Sequence, residues 1–301
     1  MTPIHEMHTA ATIGVFDGLH LGHRHLVDYL VELAHERNLE PVVITFHRHP
    51  ASIIPGKTPP GRLIPNEEKH LILKSWGIYD VISLDFDSQM ASMTSKDFLD
   101  YIHDKFGVRM LLVGFNHKFG SDRQSSLADY IRYGKEVGVE VIEATRFPHA
   151  DVSSSAVRAL IKAGDVAEAG RLLDSYYTLR GTVVEGYRNG TKLGFPTANI
   201  KPAHDDMLIP ANGVYAVWAS VAGGDWLPAV CNIGFRPSVS PDGKATIEVH
   251  ILDFNADIYG ASIKVQFVKR MRAEMKFDGL DLLKQQLARD CDDARAILTE
   301  N

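Results

Sequence analysis

Over roughly its first 150 residues the chain alternates short, almost unbroken apolar runs with longer stretches whose apolar residues recur every three or four positions. The runs TAATIGVF (starting at Thr9), PVVITF, DVISLDF, RMLLVG and VEVIEAT lack the every-second-residue polarity of a half-exposed strand. They predict five strands, most of them buried on both faces. Between them LGHRHLVDYLVELAHERN, NEEKHLILKSW, SKDFLDYIHDKF and LADYIRYGKEV read as amphipathic helices, with Asn66 placed to cap the second. Strand and helix in alternation imply an α/β doubly wound parallel sheet, whose ligands gather at the carboxyl ends of the strands.

Two short helical pieces follow, SSAVRALIKAG and DVAEAGRLLDS, and then the texture changes. From Thr178 to Arg272, strand-like runs such as TLRGTVVEG, GVYAVWASV, PAVCNIGF, TIEVHILDF and SIKVQFVKR are separated by glycine, proline and asparagine clusters, the pattern of an antiparallel sheet or β-barrel. In the last segment Leu280, Leu283, Leu287, Cys291, Ala294 and Leu298 form one helical stripe able to cover such a barrel. The expected division is residues 1–175 and 176–301. The junction at Ser175 to Thr178 is too short for a swinging tether. A fragment from about Leu173 onward is expected to contain its own core.

Composition narrows the picture. At 301 residues and 45% hydrophobic the chain is longer than one average domain. A net charge of −6 argues against a general nucleic-acid binder, though a local phosphate pocket does not show in that sum. Cys231 and Cys291 have no CxxC partner, so neither a disulfide framework nor a zinc ribbon is indicated, and a reducing cytoplasm fits. The first ten residues lack the basic start and apolar core of a signal peptide, and no apolar run approaches the roughly 20 residues of a membrane span. The expectation is a cytoplasmic enzyme or binding protein with small-molecule partners; oligomeric state is not legible.

The stretch TIGVFDGLHLGH carries the first candidate chemistry. If the helix starts near Leu21, His20 and His23 sit at the strand–helix junction facing the same way. Backbone N–H groups and the positive helix end favour an anion there, and two imidazoles add donors for phosphate oxygens. Gly22 between them leaves room for a base or ribose to approach the backbone. The pair could also be half of a metal site, although no third ligand accompanies it, or a helix cap with surface imidazoles.

GVFDGLHLGH resembles the signature of the nucleotidyltransferase domain of prokaryotic FAD synthetases, within the superfamily of HxGH nucleotidyltransferases. VGFNHKFG resembles that family's second motif, with Asn116 at its polar position, and VSSSAVR its serine and arginine motif, with Ser154, Ser155 and Arg158. The resemblance implies a site binding ATP through Gly14, Phe16, Asp17, Gly18, Gly22, Asn116, Ser154 and Ser155, and FMN through Phe46 and Asn116. The phosphate of FMN is already a nucleophile, so no serine or cysteine nucleophile is required. The site must align reactants and neutralise charge on phosphoryl oxygens, work for His20, His23, Arg158, helix N-termini and Mg²⁺. Ser154 and Ser155 also read simply as caps of the next helix.

In the second half KLGFPTANI, followed by NGVYAV, NIGFRPS, EVHILDF, DIYG and RAEMKF, resembles riboflavin kinases, whose fold is a small six-stranded barrel. The whole chain thus resembles the bifunctional riboflavin kinases and FAD synthetases, which make FMN and then FAD from riboflavin and ATP. The resemblance implies that Thr197 and Asn199 supply oxygen ligands to Mg²⁺ and ATP phosphates, that Gly194 and Pro196 border the nucleotide, that Arg272 touches flavin, and that Glu248 is the general base for the ribityl hydroxyl. From alternation alone, Glu248 between Ile247 and Val249 belongs to a solvated strand face. PGKTPPG is not a Walker A loop, because Ala51 stands where its first glycine belongs.

The chain departs from the family at His47 and Arg48 in TFHRHP, at Tyr187, Asn189 and Thr191 in GYRNGT, and at Ala156. These positions bear on affinity and substrate preference more than on reaction class. A flavin-binding regulator that has lost one chemistry is the competing reading; the presence of His20, His23, Arg158, Thr197, Asn199 and Glu248 favours the enzyme.

Overall fold

The computed structural model describes residues 8–53, 56–114, 118–122, 126–149, 152–186, 190, 193–234 and 245–299. They form two compact units, Met1–Pro60 with Ile64–Val152, and Gly61–Leu63 with Ser153–Asn301.

In the first unit β1 (Thr9–Ile13), β2 (Glu40–Phe46), β3 (Asp80–Leu84), β4 (Val108–Val113) and β5 (Glu140–Glu143) make one parallel sheet in the order β3-β2-β1-β4-β5. Its helices are α1 (Leu21–Glu36), α2 (Asn66–Ser75), α3 (Ser88–Ser92), α4 (Ser95–Phe106) and α5 (Leu127–Val137). Every residue of β1 is buried. Ala10 packs in a core with Leu30 of α1 and Leu73 of α2, whereas Ala11 packs in a second core with Leu99 of α4 and Tyr130 of α5. Successive side chains pointing to opposite cores are why the apolar runs show no alternation. Strand order reverses at β1, so a crevice opens at the carboxyl ends of β1 and β4.

One local expectation changes and one element is added. Asn66 is the first helical residue of α2 rather than its cap: Pro65 holds the extended cap position at φ −62° and ψ 150°, and the Asn66 amide donates to the His47 carbonyl at 2.9 Å. The five-residue α3, capped by Asp87, is too short to show a period.

The second unit holds α6 (Ser154–Ala163), α7 (Val166–Leu173), β6 (Tyr177–Val184), β7 (Ala198–Pro202), β8 (Gly213–Val221), β9 (Leu227–Gly234), β10 (Thr246–Ile251), β11 (Ser262–Arg272) and the C-terminal helix α8 (Leu280–Thr299). The six strands close into an antiparallel barrel, β10-β7-β6-β11-β8-β9. Val157 and Ile161 of α6 and Val166, Ala169 and Leu173 of α7 share one core with Val217, Cys231 and Phe267 of the barrel. Burial pushes the Cys231 thiol far up, which leaves it a packing residue. The C-terminal stripe covers barrel residues only through Cys291, Ala294 and Leu298; Leu280 is 69% exposed. Arg272 of β11 holds α8 by a bidentate pair to buried Asp290, at 2.9 and 2.6 Å.

Candidate active sites

After β1 the chain turns sharply. Phe16 (φ 51°), Gly18 (φ 85°) and Leu19 (φ 46°) all adopt left-handed conformations. For Phe16 and Leu19 this costs roughly 1–2 kcal/mol each, tolerated because both side chains are fully packed, at 1% and 2% exposure. A Cβ at Gly14 would lie 3.1 Å from the Phe16 ring. The Asp17 carboxylate accepts from the Ile64 N–H at 3.2 Å, tying this loop to the segment before α2.

His20 is the N-cap of α1; its Nδ1 accepts from the His23 backbone N–H at 3.3 Å. In the neutral ring that acceptor role leaves the proton on Nε2. The His20 and His23 rings stack, centroids 3.7 Å apart and 17° from parallel, and Phe16 tilts onto His23 at 5.0 Å. A Cβ at Gly22 would meet the His20 ring at 3.2 Å, so the glycine first of all makes room for that imidazole. The two rings thus stack at the N-terminus of α1, at the place where strand order reverses.

Lys69 was not legible as part of this site. It lies on the buried face of α2, one turn before Leu73, and a lysine on an apolar stripe is the one signal that could have found it. Its Nζ donates to the Val15 carbonyl at 2.8 Å, and Thr45 Oγ1 donates to the same carbonyl at 3.1 Å.

His23 Nδ1 is buried and has no hydrogen-bond partner among the described residues. Burial, then the charges of His20 and Lys69, hold the His23 pKa well below the usual imidazole value. Between that depressed value and about 6.5 the unfolded chain binds a proton at this position that the folded chain does not, so stability falls as pH drops below about 6.5. Thermal unfolding followed from about pH 7.5 to 5.5 should therefore show a smaller acid loss for His23→Asn than for the wild type. Parallel losses in the two proteins would mean that His23 titrates normally.

An apolar cavity of about 750 Å³ opens near the carboxyl ends of β1 and β2, lined by Ile13, Phe46, Phe86, Met93, Phe98 and Phe119 among others. Phe46 meets Phe86 edge to face at 5.5 Å. The volume and lining suit a flat aromatic ring system. Asn116 lies outside the described residues.

In the second unit the cap of α6 is Ser153, whose hydroxyl accepts from the Ala156 N–H at 3.1 Å; the cap expected at Ser154 or Ser155 therefore moves one residue back. Those two serines occupy the first helical positions. Arg158 is buried, and its Nε donates to the Gly61 carbonyl at 2.7 Å.

The barrel gathers the remaining candidates. Glu248 of β10 stands opposite Asn199 of β7 on one side and Asn232 of β9 on the other. All three are half-buried on the face opposite the barrel core, whereas Ile247 and Val249 point inward. Glu248 is thus on the outer face that alternation predicts, but flanked by two amides; Asn232 gave no signal in the sequence. Gly186 and Gly190 bring backbone against Asn199 and Thr197: a Cβ at Gly190 would sit 3.3 Å from Thr197 Oγ1, and at Gly186 there is no space for one beside the Asn199 amide. His250 bonds the Pro196 carbonyl at 2.7 Å and fixes the start of β7. A cavity of about 320 Å³ is lined by Pro196, Thr197, Asn255, Asp257 and Tyr259 among others, and Gly194 and Pro196 border a second of about 540 Å³. Arg272, expected to touch flavin, has its guanidinium engaged by Asp290. Tyr187, Asn189 and Thr191 lie outside the described residues.

Comparison with known proteins agrees across both units. Residues 3–156 match the family model for FAD synthetase and residues 173–298 that for riboflavin kinase. The bifunctional riboflavin kinase/FMN adenylyltransferase of Bacillus subtilis is 34% identical over 289 residues, 94% of this chain and 90% of that protein. The protein of the same description from Escherichia coli K12 is 36% identical over 282 residues, 93% and 89% of the two chains. A crystal structure described as a macrolide-efflux protein from Streptococcus pneumoniae superposes with a TM-score of 0.86 at 32% identity, covering 98% of this chain and 97% of the other. Among the described residues no helix is long and apolar enough to cross a membrane. With both family models matched in order and identity sustained over nearly the whole length, the chain belongs to the bifunctional riboflavin kinase/FMN adenylyltransferases, which phosphorylate riboflavin to FMN and convert FMN to FAD.

Proposed function

We propose that the first chemistry, adenylyl transfer, is centred on the stacked His20–His23 pair, the observation that carries this assignment. An FMN phosphate oxygen attacks the α-phosphorus of ATP, the bond to the β-phosphate oxygen breaks, and pyrophosphate leaves. No proton has to be removed from the nucleophile. His20 Nε2–H, the N–H groups of α1 and the His23 ring are placed to donate to the oxygens on which charge grows, without reorganising as it does so. Gly14, Phe16, Asp17, Gly18 and Gly22 shape the turn that presents them, and Lys69 anchors that turn through the Val15 carbonyl. The cavity beside Phe46 takes the isoalloxazine ring. To Asn116 we assign flavin and nucleotide contact, and to Ser154, Ser155 and Arg158 phosphate contact, on the strength of their motifs.

For the second chemistry we assign Glu248 as the base that takes the ribityl hydroxyl proton as that oxygen attacks the γ-phosphorus and ADP leaves. Gly194 and Pro196 border the nucleotide, and Arg272 orients flavin from the rim next to α8. A divalent cation fits the donors present. Thr197 offers a hydroxyl and Asn199 a carbonyl oxygen, hard ligands of the kind Mg²⁺ takes alongside substrate phosphates. No cluster of three His, Cys, Asp or Glu side chains able to cage a metal occurs among the described residues, in keeping with an ion that arrives with nucleotide. Bound Mg²⁺ supplies neutralisation of phosphate charge.

We assign adenylyl transfer to residues 1–175 and the kinase to 176–301, and fragments test this. A chain starting at Ser153 retains Val157, Ile161, Val166 and Ala169 in the barrel core, whereas one starting at Leu173 loses them. With roughly 1.5–3 kcal/mol for each large apolar side chain buried, the longer fragment should unfold at clearly higher temperature. Given riboflavin, ATP and Mg²⁺ and followed by chromatography, it should make FMN but no FAD, and excess chelator should stop it. A folded Ser153 fragment without kinase activity overturns the modular assignment.

A further inference from the structure

The segment Lys118–Asp122 forms one wall of the apolar cavity in the first unit, and a set of hydrogen bonds fastens it to the turn before α4. Asp122 itself is not among the cavity-lining residues; Met93, Phe98, Lys118, Phe119, Gly120 and Ser121 are. Asp122 Oδ1 accepts from the Ser95 backbone N–H at 2.8 Å and from the Ser95 hydroxyl at 2.6 Å. Ser95 is the first residue of α4 and fully buried, so the carboxylate satisfies a helix-start N–H that has no partner within the helix. The Ser95 oxygen also lies 3.1 Å from the Phe119 carbonyl. Ser121 completes the attachment: its N–H donates to the Met93 carbonyl at 2.8 Å and its hydroxyl to the Ser92 carbonyl at 3.0 Å.

The fit leaves no slack. Gly120 has φ 86°, and a Cβ there would come within 2.5 Å of Ser95 N and Oγ, so backbone approaches backbone directly. Phe119 is thereby pressed flat on Tyr130, with centroids 4.3 Å apart, and against Phe98 at 5.5 Å. The aromatic side of the cavity depends on where this backbone is held.

We propose that Asp122, acting through Ser95, is a positioning residue that sets the affinity of the adenylyl-transfer site for its flavin. The proposal rests on reading the cavity as the isoalloxazine pocket. A carboxylate held by two donors fixes the wall before ligand arrives, so the binding step need not order it. An amide at 122 can turn its oxygen to the same two donors but loses charge assistance to both.

The test uses the full chain, with FMN binding followed by flavin fluorescence and adenylyl transfer by steady-state kinetics. For Asp122→Asn both the Kd and the KM for FMN should rise about tenfold, the scale of one charge-assisted hydrogen bond. Turnover at saturating FMN, the KM for ATP and riboflavin phosphorylation should stay within about twofold, a split that general loosening of the fold does not produce. Asp122→Glu, which keeps the carboxylate, should recover most of the affinity, and Ser95→Ala, which removes one hydroxyl, should reproduce the loss if Asp122→Asn folds poorly. Unchanged FMN affinity in both Asp122→Asn and Ser95→Ala overturns the proposal, as does an equal fall in kcat and in affinity for both substrates. Phe46→Ala separates the two ideas. If it weakens FMN binding while the Asp122 and Ser95 variants do not, the pocket stands and the positioning role fails; if it too leaves FMN binding unchanged, the flavin reading of the cavity fails, and the positioning role with it.

Discussion

His23→Ala is expected to lower FAD formation from FMN by about 10²-fold or more, the scale on which removing one preorganised donor acts. The variant should fold, because the cap of α1 uses the His23 backbone N–H rather than its side chain, and the His20 acceptor is retained. What disappears is an imidazole held neutral by burial and by its neighbours His20 and Lys69, together with the surface on which the His20 ring stacks. Riboflavin phosphorylation should continue, so that with riboflavin and ATP as substrates FMN accumulates and little FAD appears. Chromatography of the flavins over time, with thermal unfolding at pH 7.5 as the check on folding, reads the result. FAD formation at the wild-type rate in a folded variant would reduce the pair to a helix cap with stacked imidazoles.

The parts of this architecture that were legible are those in which one residue pattern answers to one environment. Thr9–Ile13 is buried throughout, so its sequence, TAATI, is built from small and apolar residues with no charge, and the same logic exposes the rest of the parallel sheet. β7 escaped because its five residues, ANIKP, are few, carry an amide and a lysine and end in proline, which leaves only two apolar positions to show an alternation. The left-handed Phe16 and Leu19 were illegible for a related reason: local preference opposes them, and only burial in the finished unit holds them there. Lys69 was readable in principle as a charge on an apolar stripe, but nothing local says which carbonyl it reaches. The amphipathic pattern of α6 and α7 shows that each buries a face without saying against what; that face proves to be part of the barrel core. The motif residues were legible because chemistry fixes their type and spacing, while the Asp122–Ser95 contact joins positions 27 residues apart and leaves no periodic trace.

The kinase should respond in the opposite sense to the histidine variant. Glu248→Gln keeps the shape of the side chain and its place between Asn199 and Asn232, but the amide cannot accept the ribityl proton. Riboflavin phosphorylation is expected to fall by about 10²-fold or more, within the range of general-base contributions. Folding should be spared, since the position is half-buried on the outer face and the core is made by its neighbours Ile247 and Val249. Supplying FMN directly bypasses the lesion. FMN carries its own phosphate nucleophile, so FAD formation from FMN should stay near the wild-type rate. Each half-reaction is measured separately, riboflavin to FMN and FMN to FAD, in both variants. Equal impairment of the two steps by Glu248→Gln would mean that the carboxylate does not serve one chemistry alone. Impairment of neither would return Glu248 to the solvated strand face that alternation by itself describes, and would require a different acceptor for the proton released when riboflavin is phosphorylated.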